Sequence, residues 1–181
     1  MQVTYEELFY LWDNYYLRDI YLKKFSYQVG FEKFLSHLCL DETQIKNIVD
    51  KSNSIKEIIE KDTKPYDWVY DYLPKIKSKG VSVGILTDSE NSAVLIKKRY
   101  EKWKIAMYID SIISSADTGF IKPYRESYLA ILKELELEID DVVFIGHDKD
   151  EIIGAKIIGI RTINFFKKKE FISFLNRLIN D

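Results

Sequence analysis

The sequence predicts an α/β fold in which a parallel β-sheet is covered by helices on both faces, together with a small all-helical unit. Before Lys64-Pro65 the apolar residues recur at helical spacing and no convincing core strand is found. After Pro65, short apolar runs alternate with helical segments, the pattern of strands that pair in parallel. The predicted division is therefore a helical unit over residues 1–64 and a sheet domain over residues 65–181.

The composition is that of a folded protein with one main core. Among 181 residues, 46% are hydrophobic and the formal net charge is only −2, which excludes an extended disordered chain. The balanced charge also argues against a nucleic-acid-binding protein. Cys39 is the single cysteine, no apolar run approaches the ~18 residues of a membrane span, and the first residues lack a signal-peptide pattern. We expect a cytoplasmic protein, monomeric or homodimeric, that binds neither nucleic acid nor membranes.

The helical unit is predicted to contain about four helices over residues 4–62. The first begins with capping-box spacing at Thr4 to Glu7, and Asp41 to Gln44 repeats that pattern. A second helix is predicted over residues 31–38, and a short fourth one begins at residues 54–57.

The sheet domain is predicted to begin with a helix that runs to Gly80 and that Pro74 bends or shortens. Four strands follow, at residues 81–86, 112–113, 141–146 and 162–164. The helices among and after them are a segment over residues 91–103, one opened by Lys122-Pro123, one ending near Gly159 and one at the C-terminus.

The candidate site residues are those that follow the strands, because open parallel sheets bind ligands at the carboxyl ends of their strands. Thr87, Asp88 and Ser89 follow the first strand, where a hydroxyl beside free amides at the start of a helix suits an anion or phosphate. The same pattern also fits an ordinary helix N-cap. Lys122, just before Pro123, can reach over the strand tips to neutralise a phosphoryl group, or else lie in solvent.

Acidic residues follow the third strand, in the stretch from Gly146 to Glu151. Carboxylate oxygens that converge where a substrate phosphate completes the shell are typical of Mg²⁺ sites. The alternative is that Asp148 caps a helix and that its acidic neighbours are solvated.

Taken together, in this order and spacing, these stretches resemble the haloacid dehalogenase-like (HAD) hydrolase superfamily, chiefly its phosphatase branch with a helical cap. Residues 83–89, VGILTDS, look like the second motif, and residues 113–123, ISSADTGFIKP, are similar to the third. Residues 142–156, VVFIGHDKDEIIGAK, resemble the fourth. The resemblance implies a three-layer Rossmann-like sheet domain and a small all-helical cap that closes over the site and helps to choose the substrate.

The resemblance also implies roles for individual residues. Thr87 and Lys122 correspond to catalytic positions, and these two together with Asp88 and Ser89 to phosphate-binding positions. Asp148 and Glu151 correspond to the metal-binding positions, with Mg²⁺ as the cofactor. The implied substrate is a small phosphorylated metabolite.

The chain departs from the family pattern at the first motif, an apolar strand that ends in Asp-x-Asp and supplies the nucleophile. No such motif precedes the helical unit, so the sheet domain lacks its usual first strand, which the resemblance places between the strands at 81–86 and 142–146. Three explanations are open. The chain is shortened relative to its natural form; the two neighbouring strands close up on each other, or Met1 to Val3 or a partner fills the gap; or the protein is a non-catalytic relative.

The fourth motif departs as well, because His147 stands where the family has its first acidic residue. A neutral imidazole is a poor Mg²⁺ ligand, since hard cations prefer oxygen. Asp148 takes that role only if the turn shifts by one residue, while Glu151 takes the second acidic place.

Three functions follow as hypotheses. The first is a phosphatase-type hydrolase, which the resemblance favours although no residue can be assigned as the attacking aspartate. The second is a catalytically inactive binding or regulatory protein that keeps the phosphate pocket. The third is a structural partner that uses its exposed sheet interior or aromatic-rich helical unit as an interface.

Overall fold

The computed structural model describes residues 3–180. The chain divides between Lys64 and Pro65 into two compact units. Within residues 3–180, no helix combines the length and the apolar character that crossing a membrane requires.

The first unit is all helical over its described residues. Helix α1 covers Tyr5–Leu11 and continues through a π-helical turn, Trp12–Leu17, into Arg18–Tyr21. Helix α2 covers Tyr27–His37 and α3 covers Glu42–Asp62. The predicted capping boxes are present, because Thr4 pairs with Glu7 and Asp41 with Gln44 through reciprocal side-chain and backbone hydrogen bonds.

The prediction that a separate short helix begins at residues 54–57 is wrong, since Glu42–Asp62 is one continuous helix. Ser54 does not cap a new helix; its hydroxyl donates to the Asp50 carbonyl oxygen at 3.1 Å and stays within α3. The core of the unit is formed by Phe34 and Leu35 of α2 with Val49 of α3.

The second unit begins with helix α4, Asp67–Ser78, which Pro74 does not end and after which Gly80 takes a positive φ of 74°. The strands are β1 (Gly84–Thr87), β2 (Ser111–Ser114), β3 (Val143–Gly146) and β4 (Arg161–Asn164). The helices are α5 (Ala93–Lys102), α6 (Ser115–Thr118), α7 (Arg125–Leu135), α8 (Lys149–Ile157) and α9 (Lys168–Asn180). Short 3₁₀ turns lie at Ala106–Tyr108 and Ile139–Asp141.

The four predicted strands are present and parallel, but they form two pairs rather than one continuous sheet. β1 pairs with β2, and β3 pairs with β4. Within residues 3–180 no hydrogen-bonded ladder joins β1 to β3, so the expectation that these strands close up on each other is wrong. The alternative that Met1 to Val3 fill the gap falls largely outside the described residues, and Val3 itself is exposed.

Helices cover the strands on both faces, as in an α/β fold of three layers. On one face, Leu86 of β1 and Phe144 of β3 pack against the same buried cluster, which consists of Tyr128, Leu132, Ala155 and Ile160. On the other face, Val83 and Ile163 pack against a second cluster from α4 and α9, made of Ile76, Phe171 and Leu175. The two strand pairs therefore share their helix layers although they do not share a ladder.

Candidate functional site

Lys122 is the centre of the candidate site, at the carboxyl ends of β1 and β3. Its side chain is only 7% exposed, and its ammonium nitrogen lies 3.5 Å from Asp88 Oδ1 and 3.3 Å from Glu151 Oε1. The same nitrogen donates to the Leu86 carbonyl oxygen at 3.4 Å. The alternative that Lys122 lies in solvent is therefore wrong, because a buried ammonium is held where charged partners accept its protons.

A turn at Gly119 and a close packing contact at Pro123 position Lys122. Gly119, after the short helix α6, adopts a left-handed conformation with φ of 75°, which lets the chain turn back over the strand tips. The peptide bond from Lys122 to Pro123 is cis, and Pro123 packs directly on α8. A methyl group at Gly154 would lie 2.5 Å from the Pro123 carbonyl oxygen, so only glycine allows this contact.

Asp88 and Glu151 place two carboxylates around one ammonium. Burial raises the pKa of Asp88, and this outweighs the charge of Lys122 and its hydrogen bonds, which lower it. Burial likewise raises the pKa of Glu151 against the attraction of Lys122. Both carboxylates thus hold a proton more readily than exposed ones, and when both are ionised the trio carries one excess negative charge.

Asp88 makes two contacts with Lys122. Its carboxylate accepts the Lys122 backbone amide at 3.2 Å in addition to pairing with the ammonium group. It therefore holds the lysine loop against the end of β1.

The prediction that Asp88 and Ser89 begin a helix is wrong. Helix α5 begins at Ala93, after the N-cap Ser92, whose hydroxyl accepts the Leu95 amide. The Asp117 carboxylate accepts the Ala93 amide at 2.6 Å, so the first turn of this helix is already occupied.

Ser89 lies in the loop before that helix, and its amide donates to the Ser115 hydroxyl at 2.9 Å. Ser115 and its neighbour Ser114 are almost fully buried, and the Ser114 hydroxyl donates to the Asn91 carbonyl oxygen at 2.6 Å. These contacts fix the loop but use the Ser89 amide that was expected to bind phosphate. Thr87, at the end of β1, keeps a hydroxyl with no hydrogen-bond partner among residues 3–180.

Tyr128 joins the site from beneath, which the sequence did not indicate because it lies on the apolar stripe of α7. The residue is 1% exposed, and its hydroxyl donates to the Glu151 carbonyl oxygen at 2.6 Å. Burial and the negative charges of Glu151, Asp88 and Asp148 raise its pKa strongly, so it remains a neutral donor. A buried tyrosine needs a hydrogen-bond partner for its hydroxyl. A tyrosine on the apolar face of α7 is therefore the one sequence feature that could have indicated a polar contact here.

The predicted metal ligands do not converge into a complete site. Asp148 caps α8, where its Oδ1 accepts the amides of Asp150 at 2.8 Å and Glu151 at 3.3 Å, and the Glu151 carboxylate pairs with Lys122. Over residues 3–180, no cluster of three or more acidic, histidine or cysteine side chains is arranged to hold a metal ion. The His147 ring packs edge-on against Phe166. These residues alone do not fit a Mg²⁺ shell.

The structure thus brings Lys122, Asp88 and Glu151 together beside Thr87, and leaves Ser89 and Asp148 engaged in local caps and turns. The haloacid dehalogenase-like hydrolase family matches residues 11–165. The chain belongs to this family.

Individual relatives of this haloacid dehalogenase-like chain are distant. A pyrophosphatase PpaX from Bacillus cereus is 21% identical over 128 residues, covering 68% of this chain and 56% of the relative. A glyceraldehyde 3-phosphate phosphatase from Methanocaldococcus jannaschii is 32% identical over 111 residues, covering 59% of this chain and 46% of the relative. The chain spans about half the length of these curated relatives.

A solved structure gives the same fold. The crystal structure of a HAD phosphatase from Thermococcus onnurineus superposes with a TM-score of 0.56 at 21% identity, covering 88% of this chain and 79% of the other. At this identity the likeness concerns the fold alone, and it confirms the predicted α/β, Rossmann-like class.

Proposed function

We propose that this haloacid dehalogenase-like chain binds the phosphoryl group of a small phosphorylated metabolite and acts as a phosphatase-type hydrolase. The observation that carries the proposal is the buried Lys122 ammonium at the end of β1, 3.3 Å from Glu151 and 3.5 Å from Asp88. A buried cation at the carboxyl ends of parallel strands suits an anionic ligand, because open parallel sheets bind their ligands at that edge. Both named relatives act on phosphorylated compounds, which supports the same substrate class here.

The proposed roles follow from the contacts. Lys122 neutralises a phosphoryl oxygen, and Thr87 donates its hydroxyl to another. Asp88 and Glu151 hold Lys122, and the ammonium group shifts from them toward the ligand when it binds. Ser89 supports the loop through Ser115 and is a weaker candidate for direct contact, since its amide is already used.

The nucleophile is not among the residues assigned to the site. In the family that the chain resembles, an aspartate at the end of the first strand attacks phosphorus. Residues 3–180 form no strand between β1 and β3 that could end in such an aspartate. Asp88 pairs with Lys122, and Asp148 caps α8. Turnover therefore requires a nucleophilic carboxylate in addition to Asp88 and Glu151, and residues 3–180 do not place one at the site.

Asp148 and Glu151 remain the proposed carboxylates for Mg²⁺, whose shell needs further oxygen ligands beyond these two. We also propose that the helical unit, residues 1–64, serves as the cap that helps to select the substrate. A cytoplasmic location is in keeping with the single cysteine.

The proposal is tested by phosphate release from p-nitrophenyl phosphate with and without Mg²⁺. Because residues 3–180 place no nucleophile at the site, release requires that a further carboxylate complete it; we then expect Lys122→Ala to abolish release and Lys97→Ala, which removes an exposed lysine of α5, to leave it unchanged. Lys122→Met keeps the apolar part of the side chain and serves as a second variant if Lys122→Ala fails to fold. Circular dichroism checks that each variant is folded. Release that persists undiminished in a folded Lys122→Met protein contradicts the assignment.

The second candidate is a catalytically inactive binding or regulatory protein. The separation of the two strand pairs favours it, because the strand that bears the nucleophile in the resemblance has no counterpart in residues 3–180. It predicts phosphate binding, seen as a thermal shift, without any turnover. Absence of both binding and turnover contradicts both candidates.

A further inference from the structure

The loop that follows β1 and the lysine loop run side by side. The register of the first strand pair places Thr87 opposite Ser114, so the chain leaves both strands at the same edge of the sheet. The β1 loop then covers residues 88–92, and the lysine loop covers residues 115–122, which include the short helix α6. Contacts between these two loops therefore decide how the partners of the Lys122 ammonium group are arranged.

Ser115 binds the β1 loop through its side chain and the lysine loop through its backbone. Its hydroxyl accepts the Ser89 amide at 2.9 Å and donates to the Ser89 carbonyl oxygen at 3.2 Å. Its own carbonyl oxygen accepts the Gly119 amide at 2.7 Å, in the turn that leads to Lys122. One residue thus joins the β1 loop to the turn that precedes the lysine.

Two other side chains join the same loops at positions further from the site. The Ser114 hydroxyl donates to the Asn91 carbonyl oxygen at 2.6 Å, and the Asp117 carboxylate accepts the first amide of α5 at 2.6 Å. These bonds hold the far end of the β1 loop. The part of the loop next to Asp88 is held by Ser115.

Asp88 carries the effect of Ser115 to the lysine. Asp88 directly precedes Ser89, whose amide and carbonyl oxygen are both bound by one hydroxyl that is almost fully buried. A buried polar contact of this kind holds a single backbone geometry, because its groups have no water to turn to instead. The Asp88 carboxylate is thereby held where it accepts the Lys122 amide at 3.2 Å and lies 3.5 Å from the ammonium nitrogen.

We propose that Ser115 is a positioning residue of the phosphoryl site, which holds Asp88 in place and through Asp88 orders the loop that carries Lys122. The inference rests on the proposed function, since it takes Lys122 as the group that binds the phosphoryl oxygen. Ser115 itself touches no ligand and is not a catalytic residue. A loop that is already ordered loses less conformational freedom when a ligand binds, so Ser115 raises the affinity for phosphate.

Loosening Asp88 and neutralising it have opposite expected effects. Ser115→Ala keeps the charge of Asp88, so the carboxylate still competes with phosphate for Lys122, but its fixed position is lost. Ser115→Ala should therefore weaken phosphate binding. Asp88→Asn removes the competing charge and should strengthen it.

The test is a calorimetric titration of the full chain with inorganic phosphate. Ser115→Ala should bind phosphate at least about threefold more weakly than the unmodified chain, as expected for members of one hydrogen-bond network. Ser115→Cys is close to serine in size and has a weaker donor and acceptor, so its affinity should lie between the two. Ser115→Cys also takes the place of Ser115→Ala in the comparison if the alanine variant fails to fold.

Ser127→Ala is the matched control. Ser127 is also fully buried, and its hydroxyl donates to the Tyr124 carbonyl oxygen at 2.7 Å in the first turn of α7, away from the β1 loop. Its removal should lower the free energy of unfolding, as that of the Ser115 hydroxyl does. The phosphate affinity of Ser127→Ala should remain that of the unmodified chain.

Two further measurements separate positioning from a general loss of stability. The Lys122 amide, which Asp88 accepts, should exchange with solvent hydrogen at least about tenfold faster in Ser115→Ala and at an unchanged rate in Ser127→Ala. In an Asp88→Ala background the link to Lys122 is already removed. Adding Ser115→Ala to that background should then weaken phosphate binding no further.

The outcomes distinguish this inference from the proposed function. If the unmodified chain binds phosphate and folded Ser115→Ala binds it equally well, this inference alone is overturned. It is also overturned if Ser127→Ala loses as much affinity, or if Ser115→Ala weakens binding to the same extent in the Asp88→Ala background. Absence of phosphate binding by the unmodified chain overturns the proposed function, and this inference with it.

Discussion

The ammonium nitrogen of Lys122 lies 3.3 Å from the carboxylate of Glu151, and this pair spans the space between the ends of β1 and β3. Asp88 adds a second carboxylate on the β1 side, 3.5 Å from the same nitrogen. One buried cation therefore links the two strand pairs that share no ladder. An anion that binds here must compete with two carboxylates for Lys122.

The first prediction concerns the pH dependence of anion binding. Burial raises the pKa values of Asp88 and Glu151, so each takes up a proton at a higher pH than its ordinary value of about 4. A protonated carboxyl releases Lys122, so sulfate, which stays divalent over this range, should bind more tightly as the pH falls from neutral toward that region. Isothermal titration calorimetry at a series of pH values measures the effect.

Asp88→Asn is the matched variant for this experiment, because it removes one of the competing charges and keeps the shape of the side chain. It should bind sulfate more tightly at neutral pH and show a flatter pH dependence. An affinity that does not change with pH in the unmodified protein speaks against the competition.

The second prediction concerns the contact between α8 and the lysine loop. Gly154→Ala would place a methyl group 2.5 Å from the Pro123 carbonyl oxygen, so the loop that carries Lys122 must shift. We expect a loss of about 1–3 kcal/mol in the free energy of unfolding, measured with urea, and weaker phosphate binding.

Ile157→Ala, on the exposed side of the same helix, is the control and should change neither quantity appreciably. Native-like stability and phosphate affinity in Gly154→Ala would show that the close approach does not position Lys122.

The third prediction separates the capping role of Asp148 from a metal role. Because its carboxylate accepts two amides at the start of α8, Asp148→Ala should lower the free energy of unfolding by about 1 kcal/mol. Asp148→Asn keeps a capping oxygen and should stay within a few tenths of a kcal/mol of the parent protein.

The Mg²⁺ affinity then tests whether Asp148 is also a metal ligand. If Asp148 binds Mg²⁺, Asp148→Asn weakens that affinity while stability is kept, whereas Asp140→Asn, at an exposed position, changes nothing. Equal Mg²⁺ affinity in the parent and in Asp148→Asn would remove Asp148 from the proposed ligands.

Local sequence patterns predicted those elements whose stabilising contacts join residues close together in the sequence. The capping boxes at Thr4 and Asp41 form as expected because each pairs residues three apart. The helix predicted over residues 91–103 agrees with α5, Ala93–Lys102, whereas the hydrogen bond from the Ala93 amide to Asp117, 24 residues away in the sequence, is invisible to a local pattern.

The candidate site was predicted only in part, because its contacts join residues that are far apart in the sequence. The family spacing identified Lys122, but its burial depends on Asp88, which is 34 residues earlier, and on Glu151 in a later helix. The alternation of apolar runs predicted four parallel strands but not which edges pair. Edge pairing is a long-range property, and here it leaves β1 and β3 apart.

The most direct test of the central claim, that Lys122 is the phosphoryl-binding cation, is a calorimetric titration with inorganic phosphate. We predict binding to the unmodified chain and to Lys97→Ala with equal affinity, and a loss of at least about tenfold, equivalent to about 1.4 kcal/mol, in folded Lys122→Met. Equal phosphate affinity in Lys122→Met, or no binding by the unmodified chain, would contradict it.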